Sequence, residues 1–153
     1  MKIYKPPTKI FNLDFSKSMF LAGSIEMGKA KDWQKQVEKE FKDEEGIILN
    51  PRRDDWDESW TQSIDNKEFR NQVKWELYGL DNATIILMYF EAGTKSPISL
   101  LELGLHAKSD KMLVACPDGY MKKGNVDVVC QYYRIPIVES LDELITSVKY
   151  IVT

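Results

Sequence analysis

The run ATIILMYF at residues 83–90 is apolar at every position except Thr84. A strand with one face in water alternates polar and apolar residues, whereas a strand covered on both faces does not. Residues 17–22 (KSMFLA), 46–50 (GIILN), 111–116 (KMLVAC) and 135–138 (IPIV) are similarly apolar, and each is short. Helical periodicity fills the intervals between them. Residues 30–42 place Trp33, Val37 and Phe41 on one face, and residues 67–82 do the same with Phe69, Val73, Leu77 and Leu80. Further helices are expected over 98–108, after Pro97, over 125–133 and over 141–152. Alternating covered strands and helices predict an α/β fold, a doubly wound five-stranded parallel sheet of flavodoxin or Rossmann type. Residues 1–16, with Pro6-Pro7, read as an N-terminal extension carrying a short hairpin, and residues 17–153 as the main domain. Residues 52–66, rich in Asp and Trp, have no regular period.

Composition narrows the function classes. The formal net charge is −3, with lysines and arginines scattered, which argues against a nucleic-acid partner and for a small molecule. Two cysteines, Cys116 and Cys130, lack metal-ligand spacing, and a single histidine makes zinc an unsuitable expectation. No metal or organic cofactor is expected. Lys2 and Lys5 lead into prolines rather than an apolar segment, and no run approaches membrane-spanning length, so a soluble cytoplasmic protein is expected.

Ligands of doubly wound sheets sit beyond the carboxyl ends of the strands. The loop after the first of these strands, FLAGSIEMGKAKDW, resembles a phosphate-binding loop: Gly23, four residues, Gly28 and Lys29. Such a loop places Ser or Thr next, to hold Mg²⁺. Ala30 stands there instead, and the 83–90 strand is followed by Glu91 rather than a clear metal-binding aspartate, so a triphosphatase is not expected. A loop for a sugar or monophosphate, and a tight turn with no ligand, both fit the glycines. Lys29 fits either a 5′-phosphate contact or a solvated helix start.

Two acidic residues stand out. Glu102 is embedded in SPISLLELGLHA, where an acid within the first turns of an apolar helix either caps locally or does chemistry. The helix N-terminus would keep such a carboxylate ionised and nucleophilic. Glu76, in VKWELYGLD, reads locally as part of a solvated helix face. Two carboxylates converging on a cleft would suit glycosidic-bond chemistry. His106, one turn beyond Glu102, reads as structural.

The runs FLAGSI, NPRRDDW, QVKWELYGLDNATIILMYF and SPISLLELG, in this order, resemble the nucleoside 2-deoxyribosyltransferase family, closest to its branch with the Asn-Pro-Arg-Arg stretch. The resemblance covers roughly residues 20–138. It implies a doubly wound α/β enzyme that cleaves the N-glycosidic bond of 2′-deoxynucleosides and transfers the sugar to another base; related members hydrolyse deoxynucleoside 5′-monophosphates. By position, Glu102 matches the nucleophilic glutamate that forms a deoxyribosyl intermediate. Glu76 falls where the family has an aspartate that assists proton transfer, so the longer side chain is a departure. Ser96 matches a position that contacts the 5′ end, and serine there tilts the resemblance toward a phosphorylated substrate. Gly23, Ser24, Ile25 and Gly28 match the loop along the sugar. Asn50, Arg52, Asp55 and Trp56 match the branch-specific stretch and are expected to shape the base pocket, although Trp56 and Trp60 equally suit filling the space under an irregular loop. Asn125 matches a residue that reaches a neighbouring subunit's site, which implies a homo-oligomer. A nucleotide-binding module without turnover is the alternative, since one fold hosts many roles.

Overall fold

The computed structural model describes residues 1–26 and 29–152. Along the chain come β1 (Lys2–Tyr4), β2 (Ser18–Gly23), α1 (Trp33–Glu40), β3 (Ile47–Leu49), α2 (Lys67–Asn82), β4 (Ile85–Tyr89), α3 (Pro97–His106), β5 (Met112–Ala115), α4 (Lys123–Tyr133), β6 (Ile137–Val138) and α5 (Leu141–Val152). Six strands form one all-parallel sheet in the order β1-β3-β2-β4-β5-β6. Without β1 this is the flavodoxin order, in which the chain first steps one way from β2 and then runs outward the other way through β4, β5 and β6.

The two-sided burial read from the strand composition is explicit in the packing. Phe20, Ala22, Ile86, Met88 and Val114 face a core closed by Trp75 and Leu80 of α2, Leu103 of α3, and Val126 and Cys130 of α4. Their chain neighbours Met19, Leu21, Ile85, Leu87 and Leu113 face a second core closed by Trp33 and Val37 of α1 and Leu144, Ile145 and Val148 of α5. The period of two along each strand thus divides one apolar run between two helix layers.

Local chemistry sets the helix ends. Asp32 caps α1 by accepting the Lys35 N–H at 3.3 Å, so this helix starts later than its apolar period suggests. Asn66 caps α2, accepting the Phe69 N–H at 2.9 Å. Pro97 opens α3 at a position where no N–H is needed.

The N-terminal segment differs from the expected hairpin. Residues 2–4 instead pair in parallel with β3, Lys2 against Ile47 and Tyr4 against Leu49, as a sixth strand. Ile10 is fully buried, and the carbonyls of Thr8 and Phe11 accept from Trp75 Nε1 (2.8 Å) and the Tyr78 hydroxyl (3.2 Å) on α2. A hairpin needs only local pairing. This strand pairs with one more than forty residues away, a choice that three residues of sequence do not encode.

Gly23, last residue of β2, sits at φ 134°, and a Cβ there would lie 2.2 Å from the Tyr89 carbonyl oxygen of β4. Both conditions demand glycine. Gly23→Ala is expected to lower stability by at least about 2 kcal/mol. The measurement is the urea midpoint, which should fall at unchanged slope; a variant as stable as the parent would contradict this close approach.

Candidate active site

The strand order reverses between β2 and β4, and a cavity of about 410 Å³ opens beyond their carboxyl ends. Its walls come from the loop after β2, the irregular segment after β3, one face of α2 and α3 from its start to Leu105. Glu76 projects from α2 and Glu102 from α3 into this one space.

Both carboxyls are displaced far above their ordinary range. Burial pushes Glu102, only 9% exposed, up to about 8, and the neighbouring Glu76 charge adds to the rise. Burial pushes Glu76 up to about 7, opposed by a hydrogen bond that its Oε1 accepts from Gln72 Nε2 at 2.7 Å. Glu102 accepts no hydrogen bond from any described residue. The expectation that the helix N-terminus holds Glu102 ionised is therefore corrected. Glu102 is the sixth residue of α3, beyond the first turn to which the dipole's influence is confined, and desolvation wins. The Glu76 reading as a solvated face is corrected too. Repulsion within the pair is mutual, so its protons belong to both groups. Near neutrality such a pair can offer one acid and one carboxylate side by side, the requirement of glycosidic-bond chemistry.

Of the other residues singled out in the sequence, Gly23, Ile25, Trp56 and Ser96 line the same cavity. Ser24 does not: it is fully buried, and its hydroxyl bonds to those of Ser96 (2.6 Å) and Thr94 (2.9 Å) while accepting the Glu91 N–H (2.9 Å). Asn50 and Arg52 stand behind the wall. Asn50 donates to Glu38 Oε1 at 2.6 Å and accepts the Arg52 N–H at 2.9 Å. Arg52 donates to the carbonyls of Ala30 (2.9 Å) and Lys31 (3.0 Å), bracing the loop after β2. Asp55 is exposed and reaches the cavity only through Arg53, to which it pairs by two contacts of 2.9 Å. Trp60 packs edge-on to Trp56, ring centres 5.2 Å apart, beneath Arg53. Asn125 is exposed on α4, away from the cavity. Gly28 lies outside the described residues. His106 is buried near Asp81, and burial lowers its pKa, consistent with a neutral structural role.

The structure adds residues that sequence inspection passed over. Gln72 is buried; its amide nitrogen donates to Glu76 and to the Pro51 carbonyl at 3.1 Å, and its Oε1 has no partner. Because both neighbours of that nitrogen are acceptors, the amide orientation is fixed. The spacing QVKWE, four residues apart on a helix, was the available signal. Glu26 and Arg53 also line the cavity, as does Phe69, previously read only as an apolar helix position. Among the described residues no three His, Cys, Asp or Glu side chains cluster as metal ligands, and no helix is long and apolar enough to cross a membrane.

Comparison with known proteins bears on the fold and the family. No curated protein matches the chain in sequence. The crystal structure of a conserved protein from Enterococcus faecalis V583 is similar in fold, with a TM-score of 0.56 at 12% identity, covering 87% of this chain and 97% of the other. The family model described as nucleoside 2-deoxyribosyltransferase like matches residues 16–120, which span β2 through β5 and every wall of the cavity, and the chain belongs to that family.

Proposed function

We propose that this protein cleaves the N-glycosidic bond of a 2′-deoxynucleoside or its 5′-monophosphate by double displacement, with Glu102 as nucleophile, passing the sugar to another base or to water. The observation that carries this reading is the buried pair itself: two carboxyls, Glu102 and Glu76, facing one cavity with both proton affinities moved to neutrality. The hydrogen bond from Gln72 favours negative charge on Glu76 over Glu102. The reaction needs the reverse. As the bond to the base breaks, positive charge develops at the anomeric carbon and draws the negative charge onto Glu102. The proton passes to Glu76 and on to the departing base. Glu102 Oε then bonds the anomeric carbon, and a second base or water displaces it with Glu76 accepting the incoming group's proton.

The far end of the cavity suits a nucleobase. Phe69 and Trp56 offer flat apolar faces beside Val73, and the Arg53 guanidinium supplies a donor for a base edge. The mouth supports assembly of identical subunits. Ile98, Leu101 and Leu105, each between 57 and 59% exposed, form an apolar stripe on α3 that is also part of the cavity wall. On α4, Asn125 lies beside the exposed Val128 and Tyr132. A second copy laid over these helices would cover the stripe and bring its Asn125 to the opening.

Glu102→Gln keeps the shape of the protonated side chain but has no nucleophile, so base release should fall by at least about 10³-fold. The same variant should be more stable than the parent at pH 8, by on the order of 4 kcal/mol, and equal to it near pH 4. The sign follows from the raised pKa: the folded chain binds more protons than the unfolded one between about pH 4.5 and 8, so the native carboxyl costs stability as pH rises through that window. Urea unfolding at both pH values measures this, and undiminished turnover would refute the nucleophile.

Activity requires one proton on the pair, so kcat/KM should peak between about pH 7 and 8 and fall on both sides. Gln72→Leu removes the donor that favours ionised Glu76 and should move the acid limb to higher pH. An unmoved limb would show that Gln72 does not tune the pair.

Sedimentation should find a dimer or larger species. Leu101→Glu should dissociate it and lower kcat/KM at least about tenfold; a fully active native monomer would refute shared sites.

A further inference from the structure

At the start of α3 the backbone N–H groups of Lys95 and Ser96 converge at the positive end of a helix, a natural seat for an anion. The seat is already taken by the chain itself. Glu26 Oε1 accepts the Ser96 N–H at 2.6 Å and the Lys95 N–H at 3.0 Å. Both sides of this contact are held in left-handed backbone, Glu26 at φ 49° and Ser96 at φ 45°. Non-glycine residues adopt that conformation at a cost, so the surrounding structure holds the contact in place. The Ser96 hydroxyl is committed to Ser24 (2.6 Å) and Thr94 (2.9 Å). A second observation concerns charge. Among the described residues lining the cavity, the ionisable groups are Glu26, Arg53, Glu76 and Glu102, and Arg53 is bound at two points to the Asp55 carboxylate. The lining therefore offers three carboxyl groups and no unpaired cation.

We propose that Glu26 determines specificity by admitting a substrate whose 5′ end is a free hydroxyl and turning away the 5′-phosphate. This rests on the reading that the cavity holds a deoxynucleoside. With the anomeric carbon at Glu102 and the base against Phe69 and Trp56, the 5′ end is the part left to meet the start of α3. Glu26 lines the cavity, and its Oε2 accepts no hydrogen bond from a described residue, which leaves it an acceptor for that hydroxyl. A phosphate monoester, carrying close to two negative charges, would have to expel Glu26 from both N–H groups or lie against it without a counter-charge. The assignment runs opposite to the one suggested by the serine at position 96.

Binding to the turnover-deficient Glu102→Gln variant separates this inference from the catalytic one. Calorimetric titration with 2′-deoxyadenosine and thymidine, each against its own 5′-monophosphate, should show the nucleoside bound at least about 30-fold more tightly. Adding Glu26→Ser frees the two N–H groups and should shrink that ratio at least about tenfold, chiefly by tightening the monophosphate. Glu26→Gln, which keeps one acceptor for the backbone and loses only the charge, should shift the ratio in the same direction and guards against misfolding of the serine variant. Monophosphates bound as tightly as nucleosides, or a ratio that neither Glu26 variant moves, would overturn the assignment. If nucleosides bind preferentially but the native chain releases no base, the specificity stands and the catalytic reading falls; binding of neither class overturns both.

Discussion

The Ser24 residue joins four pieces of the structure at one buried point. Its N–H donates to the Tyr89 carbonyl at the end of β4, and its own carbonyl accepts from Trp33 Nε1 at the start of α1. Its hydroxyl accepts the Glu91 N–H and meets the hydroxyls of Thr94 and Ser96, which lead into α3. Ser24 itself is fully buried, and in such a place a satisfied polar network is rigid and an incomplete one is costly. Gly23 permits the close approach of β2 to β4 that brings Ser24 there. The position of Glu102, less than two turns along α3, follows from this knot. Ser24 thus serves the site without touching the cavity.

Against that rigid frame, the carboxyl pair is a deliberate instability. Desolvating a carboxylate is unfavourable, and two facing carboxyls add repulsion. A fold with two fully formed cores, one on each face of the sheet, can carry the deficit. The Gln72 amide offsets part of it for Glu76 alone. That asymmetry is what makes the two acids chemically different despite sharing a cavity, and it comes from one hydrogen bond between residues four apart on α2.

The architecture was legible because burial on both faces leaves a mark on composition: ATIILMYF is interpretable without any partner. The α2 boundaries, 67–82, and those of α5, 141–152, coincide with the sequence periods because Asn66 and Ser140-Leu141 provide clear starts. The sixth strand was not legible, since β1 is defined by pairing with β3 and not by its own three residues. For the site, the resemblance led to Glu102 and Glu76, which the structure brings into one cavity; local sequence alone had left Glu76 on a solvated face. Polar residues around the site divided in a way sequence does not reveal. Ser24, Asn50 and Arg52 spend their hydrogen bonds holding the walls, whereas Glu26, Arg53 and Gln72 form them. Which of two neighbouring arginines, Arg52 or Arg53, faces inward depends on a backbone path through an irregular segment, and no periodicity reports that path.

Helix α3 serves the core, the cavity and the molecular surface at once. Its inner side gives Leu103 to the core, its flank gives Ser99 and Glu102 to the cavity, and its outer side shows Ile98, Leu101 and Leu105 to solvent. A helix apolar on nearly all sides is one covered on nearly all sides. The outer residues also wall the cavity, so any body laid over them would take water from the space around the two carboxyls. Removing that water would disfavour charge on both acids still further. Closure of the apolar stripe and the proton affinity of Glu102 are therefore coupled quantities, set by the same few side chains.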